Sequence, residues 1–344
     1  PNTSNTENRV SLLLNKLRKK SRNQNSHDNQ MDDHYGIGMY SKKISFSSYP
    51  GVLFSGDDFY VIDNQIAIAQ TTLSTVDKFV YQNILKLSEY IPEFIRIMTT
   101  NFISEDGVEW YKNYKHYSSH MYVTQWTIVD YKVLDRINLD LKEGRFEKNS
   151  LKKEHEGLVV MVEEVPGSIK GTDLTKFVFD NEQFGSFNMS YFSEHQKILG
   201  INSIQSELDI YSKEHNPRYY LFNQLAPLIV DVESFSKVIL YNGYNNSNSE
   251  VKDDPSYDDP SNGISSRDDL LSMPSYHGGV DFKIVDRDLV NNLSFYAYGG
   301  PTYNEKFIKP FNWETVNDYH KDYIKGIPKV WMFKPFIFKE IRDE

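Results

Sequence analysis

The chain has 344 residues, 38 Lys and Arg against 48 Asp and Glu, a formal net charge of −10 and no cysteine. That length holds one large domain or two ordinary ones, and the acidic balance argues against nucleic acid as the main partner. Without cysteine there is no disulfide, no thiolate nucleophile and no Cys-based metal site in this chain, and no apolar run approaches a membrane span. The first residue is Pro, and no signal peptide is legible, so the chain reads as a processed or trimmed product.

Residues 1–45 read as an N-terminal segment of their own. Val10-Ser11-Leu12-Leu13-Leu14, followed by Lys16, Arg18, Lys19, Lys20 and Arg22, predicts a short helix with a basic C-terminal end, where cations suit the helix dipole. Residues 21–34 are polar, rich in Asn and Gln, and read as a flexible loop. Gly36-Ile37-Gly38 lacks the third glycine and the preceding strand of a dinucleotide fingerprint, and is set aside.

Residues 46–344 read as a single domain organised around Phe46–Thr72. Tyr49-Pro50-Gly51 is a turn, because Pro presets φ and Gly permits positive φ. Val52–Phe54, Phe59–Ile62 and Ile66–Ala69 are predicted strands, separated by Ser55-Gly56-Asp57-Asp58 and Asp63-Asn64-Gln65 turns. Val76, Phe79, Val80, Ile84, Leu85 and Leu87 then recur at helical spacing, up to the break at Pro92. Helices are predicted from Glu93 and over Val108–Tyr117. Strands follow over Tyr122–Val133 and Leu158–Val165, and helices over Ser203–Glu214 and Asp231–Leu240. The continuous apolar run Val159–Val162 is that of a strand covered on both faces. Residues 245–262, rich in Asn, Ser, Asp and Pro, read as a disordered acidic surface insertion. Strands and helices alternate in blocks, not in a steady βαβ rhythm, which favours an α+β fold.

The usual catalytic signatures are absent: no G-x-S-x-G elbow, no H-E-x-x-H and no P-loop. Asp57-Asp58 and Asp268-Asp269 are adjacent carboxylates. Neighbouring residues on a strand face opposite ways, so turn capping is the better reading of both. His116 and His120 stand four apart, but no carboxylate motif accompanies them and a strand begins near Tyr122. No metal and no cofactor are expected.

A resemblance says more. Ser48-Tyr49-Pro50-Gly51, Asp57-Asp58-Phe59-Tyr60 and Thr71-Thr72 stand in the same order as in the phospholipase B-like family of lysosomal and secreted hydrolases. So do Gln125-Trp126 with Ile128–Lys132, Val165-Pro166-Gly167, Ser186-Phe187-Asn188, Pro217-Arg218, Ser265–Leu270, His277–Asp281 and Gly300-Pro301-Thr302. The resemblance implies a four-layer αββα sandwich of the N-terminal nucleophile hydrolase type. In such enzymes a cysteine exposed at a new N-terminus attacks, with its own α-amine as base. It implies cleavage of acyl esters or amides, in lipid degradation, in a secreted or lysosomal (vacuolar-type) compartment. The catalytic residues it carries over are Thr72, Asn188 and Arg218. Asn188 would donate to a developing oxyanion, Arg218 would hold down the thiolate or bind an anionic group, and Thr72 would position nucleophile or carbonyl. The three are expected to converge on one cleft.

The departures are as informative. Laid on the family pattern without gaps, the family's His and Trp fall near Ser4 and Glu7, and its cysteine falls before Pro1. The nucleophile is therefore expected on a processed N-terminal chain acting as partner, with a lipid or acyl-amide as substrate. The rival implication is an inactive relative acting as a binding or scaffold protein. The family's Tyr-Asn-Asn-Gln-Trp is Tyr122-Val123-Thr124-Gln125-Trp126 here, and its cysteines before Ser-Arg-Asp give way to the acidic insertion. N-x-S/T sites at Asn2, Asn188, Asn245 and Asn292 are candidates for glycans, with Asn188 expected buried and bare.

Overall fold

The computed structural model describes residues 38–75, 79–83, 90–146, 151–201, 215–279, 281–304, 306–316 and 326–339. The predicted basic helix near the N-terminus and the predicted helix Ser203–Glu214 lie outside these residues. The helix expected after Thr72 is described only at Val80–Asn83, a 3-10 turn. The chain divides into two compact units, Pro1–Phe184 with Ser190–Asn202, and Gly185–Met189 with Ser203–Glu344.

The first unit holds a six-stranded antiparallel sheet: β1 Ile44–Phe46, β2 Phe59–Ile62, β3 Ile66–Thr72, β4 Thr124–Asp130, β5 Val159–Val165 and β6 Ser168–Asp173. Spatial order follows chain order from β1 to β6, so every neighbouring pair is antiparallel. Helices α1 Glu93–Ile103 and α2 Gly107–Tyr114 bring Ile97, Trp110 and Tyr114 onto one face. There they meet Tyr60, Ile68, Trp126, Ile128, Val160 and Val162. Trp110 stacks on Tyr114 with ring centroids 4.6 Å apart, and its indole donates to Asn101 Oδ1 at 2.8 Å. Gly107 allows a close approach of α2 to the sheet, since an added Cβ would lie 3.1–3.3 Å from Val160 and Ile128.

Val159 and Met161 of β5 face the other way. They pack with Val133 and Ile137 of α3 (Tyr131–Lys142) and with Phe177 and Val178 of α4 (Thr175–Asn181); the short helix α5 is Ser193–Ile198. Every residue of β5 is buried, as its apolar run predicts. The neighbouring glutamates Glu163 and Glu164 are fully buried on opposite faces. Glu164 accepts from the Arg96 guanidinium at 2.5 Å and from Ser118 Oγ, while Glu93 holds the same guanidinium at 2.6 Å. Burial pushes the Glu93 carboxyl upward, against the pull of Arg96.

Two predicted strands need correction. Val52–Phe54 is not a strand: Leu53 is 80% exposed, and Ser48 Oγ reaches the carbonyls of Val52 and Phe54 to close a loop. The strand predicted over Tyr122–Val133 stops at Asp130, whose carboxylate caps α3 by accepting from the Lys132 amide at 2.9 Å.

In the second unit, α6 is Pro217–Leu225 and α7 is Val232–Ile239; the latter is capped by Asp231, which accepts from the Ser234 amide. β7 Asp281–Ile284, α8 Arg287–Asn291 and β8 Phe295–Gly299 follow, and β8 pairs with β7 and with β11 Phe336–Phe338. β9 Phe311–Asn312 and β10 Val330–Trp331 form a small antiparallel pair. The insertion at 245–262 is not disordered. Asp254 accepts from Tyr241 Oη, Ser249 Oγ and both the amide and hydroxyl of Ser256; Ser256 is fully buried and Val251 nearly so. Asn242 Nδ2 spans the loop's exit, donating to the carbonyls of Pro260 and Ser265 at 2.8 and 2.9 Å. Asp, Asn and Ser here replace a hydrophobic core with local side-chain-to-backbone bonds.

Candidate active-site residues

Arg218 enters the second unit at the start of α6. Asn216 is the N-cap, accepting from the Tyr219 amide at 3.0 Å, and Pro217 fills the first helical position, where no amide hydrogen is needed. Phe187 packs edge-on to Tyr219 and Phe222 at 5.6 and 5.5 Å, which fastens the 185–189 segment to α6. Asn188 takes a left-handed backbone, φ 60°, a conformation Asn tolerates better than most residues. Its Oδ1 accepts from Arg218 Nη2 at 2.9 Å. The donor end of the amide therefore faces away from the guanidinium.

Two expected site residues thus meet in one unit. Both are half-buried, so Asn188 is less buried than its predicted role implies. Burial pulls the Arg218 guanidinium below its ordinary range, though it remains a cation. Among the described residues, no carboxylate pairs with Arg218. Thr72 belongs to the first unit. It closes β3 opposite Thr124, is exposed, and accepts from Gln70 Nε2 at 3.2 Å.

The carboxylate pairs do different work. Asp57 accepts from Ser47 Oγ at 2.6 Å and Ser55 Oγ at 2.5 Å, as a turn-capping group does. Asp58 is buried and accepts from Tyr122 Oη. Burial foremost, with the Asp57 charge adding to it, pushes the Asp58 carboxyl up to about 6, against the Tyr122 hydrogen bond. Asp268 accepts from Ser266 Oγ, whereas Asp269 grips the fully buried Arg267 with two bonds of 2.7 Å. His116 and His120 both lie beyond the end of α2 and share no helical face. Asp140, Glu154 and His155 bring ligand-type atoms within 4.8 Å of one another. The Asp140 carboxylate already meets Arg145 at 2.7 Å, His155 at 3.1 Å and Lys152 at 3.4 Å, and reads as an ion cluster.

The Phospholipase B family model matches residues 27–338. The chain belongs to the phospholipase B family. Similar relatives include "Putative phospholipase B-like 2" of Caenorhabditis elegans, 31% identical over 307 residues, covering 86% of this chain and 50% of the relative. "Phospholipase B-like protein G" of Dictyostelium discoideum is 30% identical over 303 residues, covering 85% and 47%. The human "Putative phospholipase B-like 2" is 27% identical over 305 residues, covering 85% and 49%. The chain spans about half the length of these curated relatives.

One buried cluster of this family member was not legible in the sequence. Glu163 of β5 gathers Gln125, Ser190, Tyr191 and His195 around one carboxylate, drawn from separate elements. No local spacing relates these residues.

Proposed function

We propose that this chain is the larger part of a hydrolase that cleaves acyl ester or amide bonds, with the nucleophile supplied by an upstream segment or partner chain. The observation that carries the reading is Arg218: a half-buried cation held by an amide oxygen and, among the described residues, by no carboxylate. A guanidinium so placed suits an anionic substrate group or a thiolate. Asn188, with its amide oxygen on Arg218, directs N–H donors elsewhere, as stabilisation of a tetrahedral oxyanion requires. In this reading the nucleophile attacks the acyl carbonyl carbon and the Asn188 amide donates a hydrogen bond to the oxyanion that develops. The compartment is secreted or lysosomal, and the complete fold is the four-layer αββα sandwich of N-terminal nucleophile hydrolases. The all-antiparallel sheet of the first unit is compatible with that fold.

The test uses the longest native polypeptide, purified with any chain that accompanies it. Fatty-acid release from lysophosphatidylcholine and amine release from an N-acyl amide are measured for wild type and Asn188→Asp. This variant tolerates the left-handed backbone, removes the N–H donors and neutralises Arg218. Turnover should fall roughly 10²–10³-fold with the melting temperature little changed. Absence of hydrolysis in the wild type, or an Asn188→Asp variant of full activity, would refute the reading and favour the scaffold role.

A further inference from the structure

β5 and β6 are joined by the two-residue turn Pro166-Gly167, with Val165 paired to Ser168. Gly167 has φ 79°, the conformation a type II turn needs at that place, and is exposed. Ser168 is therefore the first residue of β6, partly exposed at the hairpin tip. Its Oγ lies 3.0 Å from His195 Nε2, and His195 Nδ1 lies 2.9 Å from Glu163 Oε2. Both His195, on the short helix Ser193–Ile198, and Glu163 are fully buried.

The direction of each bond follows from the neighbours. Glu163 Oε1 accepts from Gln125 Nε2 at 2.6 Å and the Tyr191 amide at 2.5 Å, and Oε2 accepts from Ser190 Oγ at 2.7 Å. A carboxylate so surrounded by donors is an acceptor toward His195 as well. His195 Nδ1 therefore carries the hydrogen, Nε2 presents its lone pair, and the Ser168 hydroxyl donates to it. This is the order hydroxyl, Nε2, Nδ1, carboxylate by which acyl-transfer triads are recognised, whatever the fold. With the Phe192 amide at 3.5 Å from Oε2, four of the five bonds to Glu163 hold the acid without the histidine, so the imidazole is oriented by a rigid partner. Lys170 is two residues beyond Ser168 on the same face of β6, its ammonium 3.1 Å from Glu194.

We propose that Ser168, His195 and Glu163 form a second acyl-transfer site, distinct from Asn188 and Arg218, that takes short acyl esters at the open hairpin tip. Ser168 Oγ bonds to the carbonyl carbon as its proton passes to His195 Nε2. The carbon–oxygen bond to the alcohol then breaks, and His195 returns that proton to the departing oxygen. Water repeats the sequence on the acyl-serine, releasing the carboxylic acid and restoring the hydroxyl. Glu163 holds the Nδ1 hydrogen and faces the imidazolium without taking its proton.

Every reacting side chain belongs to this chain, so the 344-residue chain alone is the reagent, and no upstream nucleophile enters. Incubation with a fluorophosphonate probe should break the P–F bond and leave a phosphonyl adduct on the peptide containing Ser168, absent in Ser168→Ala. Because the chain has no cysteine, Ser168→Cys carries its only thiol. Its thiolate absorbance at 240 nm should appear at least one pH unit below the usual midpoint of about 8.5, while exposed Ser193→Cys titrates at or above it. An unmodified Ser168 under conditions that saturate a known serine hydrolase, or an ordinary titration of Ser168→Cys, would overturn the proposal.

Discussion

Replacing Asp58 by Asn tests how burial governs the first unit's stability. Asp58 stands just before β2, is 7% exposed, and has φ 51°. Its carboxyl is pushed from 3.8 up to about 6, chiefly by burial. A folded-state value above the unfolded one means that the native protein binds this proton more tightly. The stability it contributes is therefore full below about pH 4 and is lost as pH rises through 6. The gap between 3.8 and about 6, at about 1.4 kcal/mol per pH unit, comes to about 3 kcal/mol by neutral pH. Asn cannot ionise, still offers an amide oxygen to Tyr122 Oη, and accepts the left-handed backbone. The weaker neutral hydrogen bond offsets about 1 kcal/mol of the gain. Asp58→Asn should then be more stable than wild type by about 1–2 kcal/mol at pH 7.5, and equal or slightly weaker at pH 4.5. Urea unfolding followed by the fluorescence of Trp110 and Trp126, both in the adjoining core, measures this at pH 4.5, 6 and 7.5. A variant weaker than wild type at pH 7.5, or a difference that does not change with pH, would refute the reasoning.

Asp269→Ala should cost about 3–5 kcal/mol in urea unfolding, because it leaves the fully buried Arg267 without its carboxylate. Adding Arg267→Met should recover much of that loss. Gly171→Ala would set a Cβ 2.8 Å from the Tyr111 ring and should lower stability by about 1–3 kcal/mol, read from the same unfolding curves. Mass spectrometry of protein from a secreting host should find glycan at the exposed Asn245 or Asn292 and none at Asn188, whose side chain is engaged with Arg218.

Much of the first sheet was legible because its strands carry their own punctuation. Phe59–Ile62 and Ile66–Ala69 flank an Asp-Asn-Gln turn, and Val159–Val162 is apolar throughout; all three lie in strands. β6, Ser-Ile-Lys-Gly-Thr-Asp, was missed because an edge strand with a Lys and a Gly has no apolar alternation to read. At Asp130 the strand pattern overruns the strand. Tyr131 and Val133 have high β propensity, which extends the strand pattern through them. The signal for a helix was present in Asp130 as cap and in Val133 and Ile137 four apart. The acidic insertion misled by composition: Asp254 and Asn242 make its order through bonds to their own loop. Of the site residues, Asn188 and Arg218 are implied by the resemblance, and their contact follows from the fold of the second unit.

By itself, the sequence determined what acts over a few residues or through a shared motif order: the turns, the apolar periods, the helix caps and membership of the phospholipase B family. Tertiary structure alone decided which polar groups meet. Glu163 and Glu164 are neighbours with the same chemistry, yet the pleat sends one to His195 and Ser190 and the other to Arg96 and Ser118. Ser168 and His195 are 27 residues apart, and no periodicity joins a hairpin tip to a short helix. The physical reason is that apolar burial is non-directional and repeats with the backbone period. A hydrogen bond instead needs one donor within about 3 Å of one acceptor, which only the packed fold can place.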